Sequence, residues 1–320
     1  MKIHDLLNLF QRKDKKMTME EVLELTQMRS LEDCKRYMRV MLDFYFEVIQ
    51  SPESRKCRSA MDDDRNIWLQ QMFSMGCHFL SLLDGVGYRK GIDHLNPIVD
   101  PDVLFTVGRR MYESVVVFDT LFILPKDDDH QTILYNLFMA HGLSERLKDL
   151  DEDMRNRHPE RVASEEADIA ACKEAIETCP LYNRFDNQTK KQIDYIFGKK
   201  FRYIITDELK LEFVEFDKAY QQLGVKEELF QSLYSFFSLH GHPSYLSVCQ
   251  FRDAFKPEFR ADWMMAQHAT QCALSFMSIF IVDYMKLNPD VKAKYDQMEE
   301  PRRFAIGMYE DAMRGEHKFK

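Results

Sequence analysis

Apolar residues recur along most of the chain at the three- and four-residue spacing that places side chains on one face of an α-helix. A stripe that includes Tyr37, Met41 and Phe44 predicts a helix from about 30 to 49. The same spacing predicts further helices over 62–84, 101–124, 127–142 with a restart towards 155, 164–177, 212–222, 226–240 and 257–287, and two short helices near the C-terminal end.

The helices predicted near 101–124 and 258–287 are expected at the centre, because each is apolar on more than one side. The apolar run of the second is shorter than the ~20 residues needed to span a bilayer, and Asp283 ends it. We therefore predict a core helix of a soluble bundle and no membrane partner. The side chains expected to be buried in protein are those of Phe276, Ile279 and Phe280.

Three stretches lack a clear helical pattern. Residues 85–100 are predicted as a loop, and residues 157–164 resemble a linker. Residues 185–210 do not indicate one structure: within them 201–206 has the composition of a short strand, but its isolation argues against a sheet.

The simplest fold that fits this pattern is an all-α multi-helix bundle, with one large domain over 1–320. Residues 30–150 and 211–288 are expected to form the core bundle, and residues 151–210 a protruding peripheral section.

Composition supports this fold and narrows the function. A hydrophobic content of 45% over 320 residues suffices for a large core, and only 11 Gly and 10 Pro favour helix over a turn-rich β fold. A net charge of -9 argues against nonspecific binding along nucleic acid, although a local basic groove stays open. Seven cysteines without a Cys-x-x-Cys pair indicate reduced thiols in a cytoplasmic protein, and the N-terminus lacks the apolar core of a signal peptide.

Common catalytic motifs are missing from the sequence. It contains no phosphate-binding Gly-x4-Gly-Lys-Ser/Thr, no Gly-x-Gly-x-x-Gly, no Gly-x-Ser-x-Gly, no His-Glu-x-x-His and no Glu-x-x-His. We therefore expect no cofactor and no metal. A minor alternative is a metal held by His240 and His242 with a third ligand such as His141 or His268.

Two polar motifs interrupt apolar helices and are the candidate site. Arg109 and Glu113 are four residues apart on one helix, where they could form a structural ion pair or present the Arg to an anion. Tyr234, Ser238 and His242 follow at the same spacing on another helix. The His could fix the helix end or act as a general base. Because buried polar groups need partners, we predict that the two motifs contact each other.

These motifs resemble those of a largely helical bacterial family, the "domain of unknown function 5677" family. Its pattern has Arg-x3-Glu in a central helix, here Arg109 and Glu113, and later Tyr-x3-Ser-x3-His, here beginning at Tyr234. The likeness would span roughly residues 30–285. It implies a helical fold and no particular activity.

A more distant resemblance is to HEPN helical ribonucleases, which carry Arg-x4-6-His on a helix. Arg89 and His94 fit that spacing, but Gly91 and the predicted loop are not the setting of such a motif. On the later helix Tyr234 occupies the position expected for the Arg, and Arg109 is the candidate to replace it.

Two functions remain open from the sequence. The first is a non-enzymatic helical interaction or sensing module of a bacterial cytosolic protein, with a role in defence or stress. The second is a metal-independent HEPN-like ribonuclease or phosphate-handling enzyme that uses the two polar motifs. The corresponding partners are an unknown protein or RNA, and the oligomeric state is open.

Overall fold

A computed structural model describes residues 28–52, 59–240, 244–253 and 261–315. Thirteen helices account for most of these residues, and four short strands form two hairpins, which confirms the predicted all-α, multi-helix fold. In chain order the elements are α1 (Leu31–Gln50), α2 (Ala60–Leu82), β1 (Val86–Lys90), β2 (Asp93–Ile98), α3 (Pro101–Phe122), α4 (Asp128–Lys148), α5 (Glu152–Arg157), α6 (Pro159–Thr178), α7 (Pro180–Arg184), α8 (Asn187–Ile196), β3 (Tyr203–Ile205), β4 (Leu211–Phe213), α9 (Glu227–His240), α10 (Tyr245–Asp253), α11 (Ala261–Leu287), α12 (Pro289–Asp296) and α13 (Glu300–Arg314).

Side-chain caps explain where several helices begin. Ser30 precedes α1, and its hydroxyl accepts a hydrogen bond from the Asp33 amide. Asp127 precedes α4 and accepts from the amide of His130 in the same way. Each cap satisfies one of the N–H groups that a helix start leaves without an intrahelical partner. The sequence Thr18-x-x-Glu21 also has the pattern of a capping box, but it lies outside the described residues.

The chain divides by its internal contacts into two compact units. One contains the described residues up to Val115 and those from Gly224 onward, and the other runs from Val116 to Leu223. The boundary between the two units falls within α3. The limits of the predicted core bundle and of the peripheral section over 151–210 are different, and they stay a prediction.

Helix α11 is the central element of the first unit, where it packs against α1, α2, α12 and α13. Its side chains Phe276, Ile279 and Phe280 are buried, as predicted. Within the described residues, one stretch, Trp263–Leu287, is long and apolar enough to cross a bilayer, and 72% of its most apolar window is buried inside the protein. That burial is typical of a core helix. In the second unit α4 packs against α6 and α7, and it also contacts β3.

The loop predicted over residues 85–100 is wrong, because this stretch contains the antiparallel hairpin β1–β2. Gly91 lies in the two-residue turn with a φ of 62°, a conformation that a residue with a side chain rarely adopts. Gly85, with a φ of 74°, lies at the base of the hairpin against the backbone of Ile98.

A second hairpin corrects two more predictions. Residues Tyr203–Ile205 pair with Leu211–Phe213, so the strand candidate is not isolated and the helix predicted over 212–222 is wrong. Leu209 turns the chain between the strands at a φ of 57°. The spacing of apolar residues alone did not distinguish the turns after β4 from a helix.

Two predicted breaks are also wrong. The linker-like stretch 157–164 is largely helical, since α6 begins at Pro159, and proline suits the first position of a helix. Helix α4 continues through Gly142 without a restart and ends at Lys148.

A buried carboxylate fastens the last helix to α11. Asp283 is fully buried, and the Arg314 guanidinium of α13 approaches its Oδ2 to 2.7 Å. Lys286, whose side chain is half exposed, reaches the other oxygen at 2.6 Å. More than one helical turn before Asp283 on α11, the Ser278 hydroxyl donates to the Ile306 carbonyl and accepts from the Glu310 amide. Polar contacts therefore fix α13 at two levels of the core helix.

We expect Arg314→Ala to lower the free energy of unfolding by about 3 kcal/mol, because it leaves a buried carboxylate without its buried partner. The matched change Lys286→Ala removes an exposed partner of the same carboxylate, and it should cost less than about 1 kcal/mol. Urea denaturation followed by circular dichroism compares the two. Equal losses would show that the buried pair has no special weight.

Candidate functional site

Arg109 and Glu113 form an ion pair on α3, with Arg109 Nε 3.0 Å from Glu113 Oε1. Their side chains are 31% and 21% exposed. The pair is therefore only partly buried, and its two charges retain contact with water. The large cost expected for breaking a fully buried pair does not apply, and a loss of about 1 kcal/mol or less is expected instead.

The helix that carries this pair packs against the helix that carries Tyr234. The Tyr112 ring lies 6.5 Å from the Tyr234 ring and 5.2 Å from that of Phe230, centroid to centroid. A Cβ built on Gly108 would lie 3.4 Å from the Phe237 ring, which is an ordinary contact distance between packed helices. Tyr112 thus places α3 and α9 side by side, as a shared site requires.

The remaining members of the predicted site are not placed. The side chain of Ser238 and the whole of His242 lie outside what the structure describes. The contact predicted between the Arg109–Glu113 pair and the face ending at His242 stays a prediction.

A different polar cluster joins α3 to the end of α9. His240 Nδ1 lies 2.5 Å from Asp102 Oδ1, and the His240 side chain is only 1% exposed. Its ring stacks on Phe105 at 4.6 Å with an angle of 16° between the planes. His268 of α11 also packs on Phe105, with the two ring centroids 5.9 Å apart. Three helices therefore meet around one aromatic ring.

The geometry of this cluster holds the His240 ring in one position. Asp102 holds one ring nitrogen of His240, and the stacked, buried ring is shielded from solvent. Enzymes orient a general base with a carboxylate in the same way, but such a base must also reach its substrate. With 1% exposure, His240 instead fastens the C-terminal end of α9 to the first turn of α3.

Sequence reasoning considered His240 and His268 only as alternative metal ligands. The partner of His240 lies 138 residues away in the sequence, and no local spacing indicates that pairing. The other alternative ligand, His141, packs on Phe201 in the second unit, with ring centroids 4.8 Å apart. The residues that the structure describes contain no group of three or more His, Cys, Asp or Glu side chains that could hold a metal ion.

Burial lowers the pKa of His268 below its usual value of 6.5, and the neighbouring His240 lowers it further. Both effects disfavour the protonated ring.

The comparisons give no relative on which to base a function. No family model matches the chain, and neither a curated protein nor a solved structure does so.

We expect Asp102→Ala to lower the free energy of unfolding by about 1–3 kcal/mol, because a buried ring nitrogen loses its hydrogen-bond partner. Asp102→Asn is the matched control: its amide oxygen still accepts from Nδ1, and the loss should be smaller. Chemical denaturation at neutral pH measures both. If the two variants lose the same amount, the hydrogen bond is not what stabilises this contact.

A pH dependence is expected from His268. Its folded-state pKa is lowered, so its contribution to stability is present above the unfolded pKa of 6.5 and is lost as the pH falls below it. The unfolding free energy of the His268→Gln variant should accordingly fall less on acidification than that of the wild type. Unfolding curves of both proteins on either side of this pH make the comparison, and parallel pH profiles would contradict it.

Proposed function

We propose that this chain is a non-enzymatic helical interaction or sensing module, and that it recognises a partner protein. The observation that carries the proposal is an exposed apolar stripe on α10. Tyr245, Val248 and Phe251 follow at three-residue spacing, which places them along one face of the helix. All three are exposed, Tyr245 to 76%.

The rest of α10 supports a binding role. Ser247 is the buried residue of this helix, and Leu246 is exposed as well. Ser244 caps the helix start, since its hydroxyl accepts from the Ser247 amide. A capped helix that displays a contiguous apolar surface to water is typical of protein interaction sites.

The charge and burial of the polar clusters also support a module without catalysis. Arg109 is paired with Glu113, and His240 is enclosed between its carboxylate partner and an aromatic ring. Neither arrangement presents a free general base to solvent.

The cellular setting belongs to the same proposal. The six cysteines of the described residues are free thiols, four of them buried, as in proteins of a reducing compartment. A bacterial cytosolic origin, with a role in defence or stress, rests on the resemblance to the "domain of unknown function 5677" family.

A photo-crosslinking amino acid at Val248 tests the proposal in the cells of origin. We expect a discrete crosslinked protein product that disappears when Tyr245 and Phe251 are both changed to Glu. Such exposed substitutions should alter stability by no more than about 0.5 kcal/mol. The same crosslinker at Asp168, an exposed position on the polar helix α6, is the control. Identical products from both positions, or none from Val248, would sink the proposal.

The second candidate is a metal-independent ribonuclease or phosphate-handling enzyme. What favours it is Arg109, whose partly exposed guanidinium keeps donors beyond the one bonded to Glu113. Purified protein should then cleave RNA in the presence of a chelator. Arg109→Ala and His242→Ala should abolish cleavage without a matching loss of stability, whereas the interaction module predicts no cleavage at all.

A further inference from the structure

The hairpin β1–β2 stands exposed along its whole first strand. All five residues of Val86–Lys90 are exposed, and so is Leu95 on β2. Ile92 in the turn is 98% exposed. In the described part of the chain this sheet has two strands, and a lone two-stranded hairpin is marginally stable in water. A third strand would complete it.

The two edges of the hairpin differ in what they can accept. Strand β2 contains Pro97, which has no N–H to donate to a neighbouring strand. Strand β1 contains no proline, and its pairing with β2 is regular from Tyr88 to Lys90, beyond a shift near Val86. Residues 88–90 are therefore the stretch of open edge on which an extended segment can pair.

The side chains of this edge define the chemistry of a complementary segment. Alternation along the strand puts Tyr88 and Lys90 on one face and Arg89 on the other. Arg89 is opposite His94, Tyr88 is opposite Leu95, and Lys90 is opposite Asp93, the one acidic residue of the hairpin. The edge thus offers one aromatic and two basic residues, with no acidic residue on β1, in a chain whose net charge is -9.

We propose that β1 binds an extended acidic segment of a partner protein by strand addition, with two consecutive acidic residues beside Arg89 and Lys90 and an apolar residue beside Tyr88. Acidic residues that follow one another point to opposite faces of the new strand, as the two basic residues do. The apolar residues of the hairpin favour a protein segment over nucleic acid. This surface is separate from α10, so each can fail its test without the other.

A fluorescein-labelled peptide, Thr-Val-Glu-Glu-Val-Thr, is the probe, because its core has the required pattern in either strand direction. Fluorescence anisotropy should show saturable binding to the full chain. A peptide with Lys in place of both Glu residues should bind at least about tenfold more weakly, since each cross-strand charge pair changes from attraction to repulsion. Replacing the second Glu by Pro should abolish binding, because the pairing N–H is lost.

Charge reversal provides the matched test on the protein. The double variant Arg89→Glu/Lys90→Glu should exchange the preference, so that it binds the Lys peptide more tightly than the Glu peptide. Lys90→Gln removes one charge without reversing it and should weaken the Glu peptide about threefold. The equivalent reversal at Arg184 and Lys191, two exposed basic residues of the second unit, should leave binding unchanged.

Several results would overturn the proposal: no saturable binding of the Glu peptide, equal binding of the Pro peptide, or no exchange of preference in the double variant. A uridine decamer that binds wild type more tightly than the Glu peptide, and loses binding on charge reversal, would assign the hairpin to RNA instead.

Discussion

The first unit depends on one buried charge. Asp283 sits fully buried in the most apolar helix of the protein, where an unpaired carboxylate would be strongly unfavourable. Arg314 of α13 neutralises it, so detaching α13 from α11 would leave a buried carboxylate without its guanidinium partner. Around this pair α11 packs on α1 and α2, where Tyr45 donates a hydrogen bond to the Met277 carbonyl and Tyr284 donates one to Asn66. The ion pair thus determines which surface of the core helix α13 must cover, while hydrophobic burial supplies most of the stability.

Helices were predictable because their signal is local. The apolar stripe that predicts α1 lies within a few residues of its cap, Ser30. The first hairpin was missed because β1 is exposed along its whole length, so its side chains lack the alternation that marks a half-buried strand. In the second hairpin the strand candidate was found, but its pairing partner was not. No helix was predicted over α10, and the spacing of its exposed apolar residues is the same as that of a core face.

The candidate site was less predictable than the fold. The ion pair of Arg109 and Glu113 follows from spacing on one helix, and it was expected. The contact between Asp102 and His240 joins residues far apart in sequence, and it depends on how α3 and α9 pack. Composition says that a buried histidine needs a partner, but it does not say which residue supplies it.

The division of the chain into units has a consequence for synthesis. The second unit is continuous from Val116 to Leu223, whereas the first is assembled from segments on both sides of it. On the ribosome the second unit is complete while α1 and α2 still lack α11, their main packing partner. The apolar faces of these two helices therefore stay uncovered while more than half of the chain is synthesised. During that interval these faces are open to aggregation, and slowing translation after Leu223 would lengthen it.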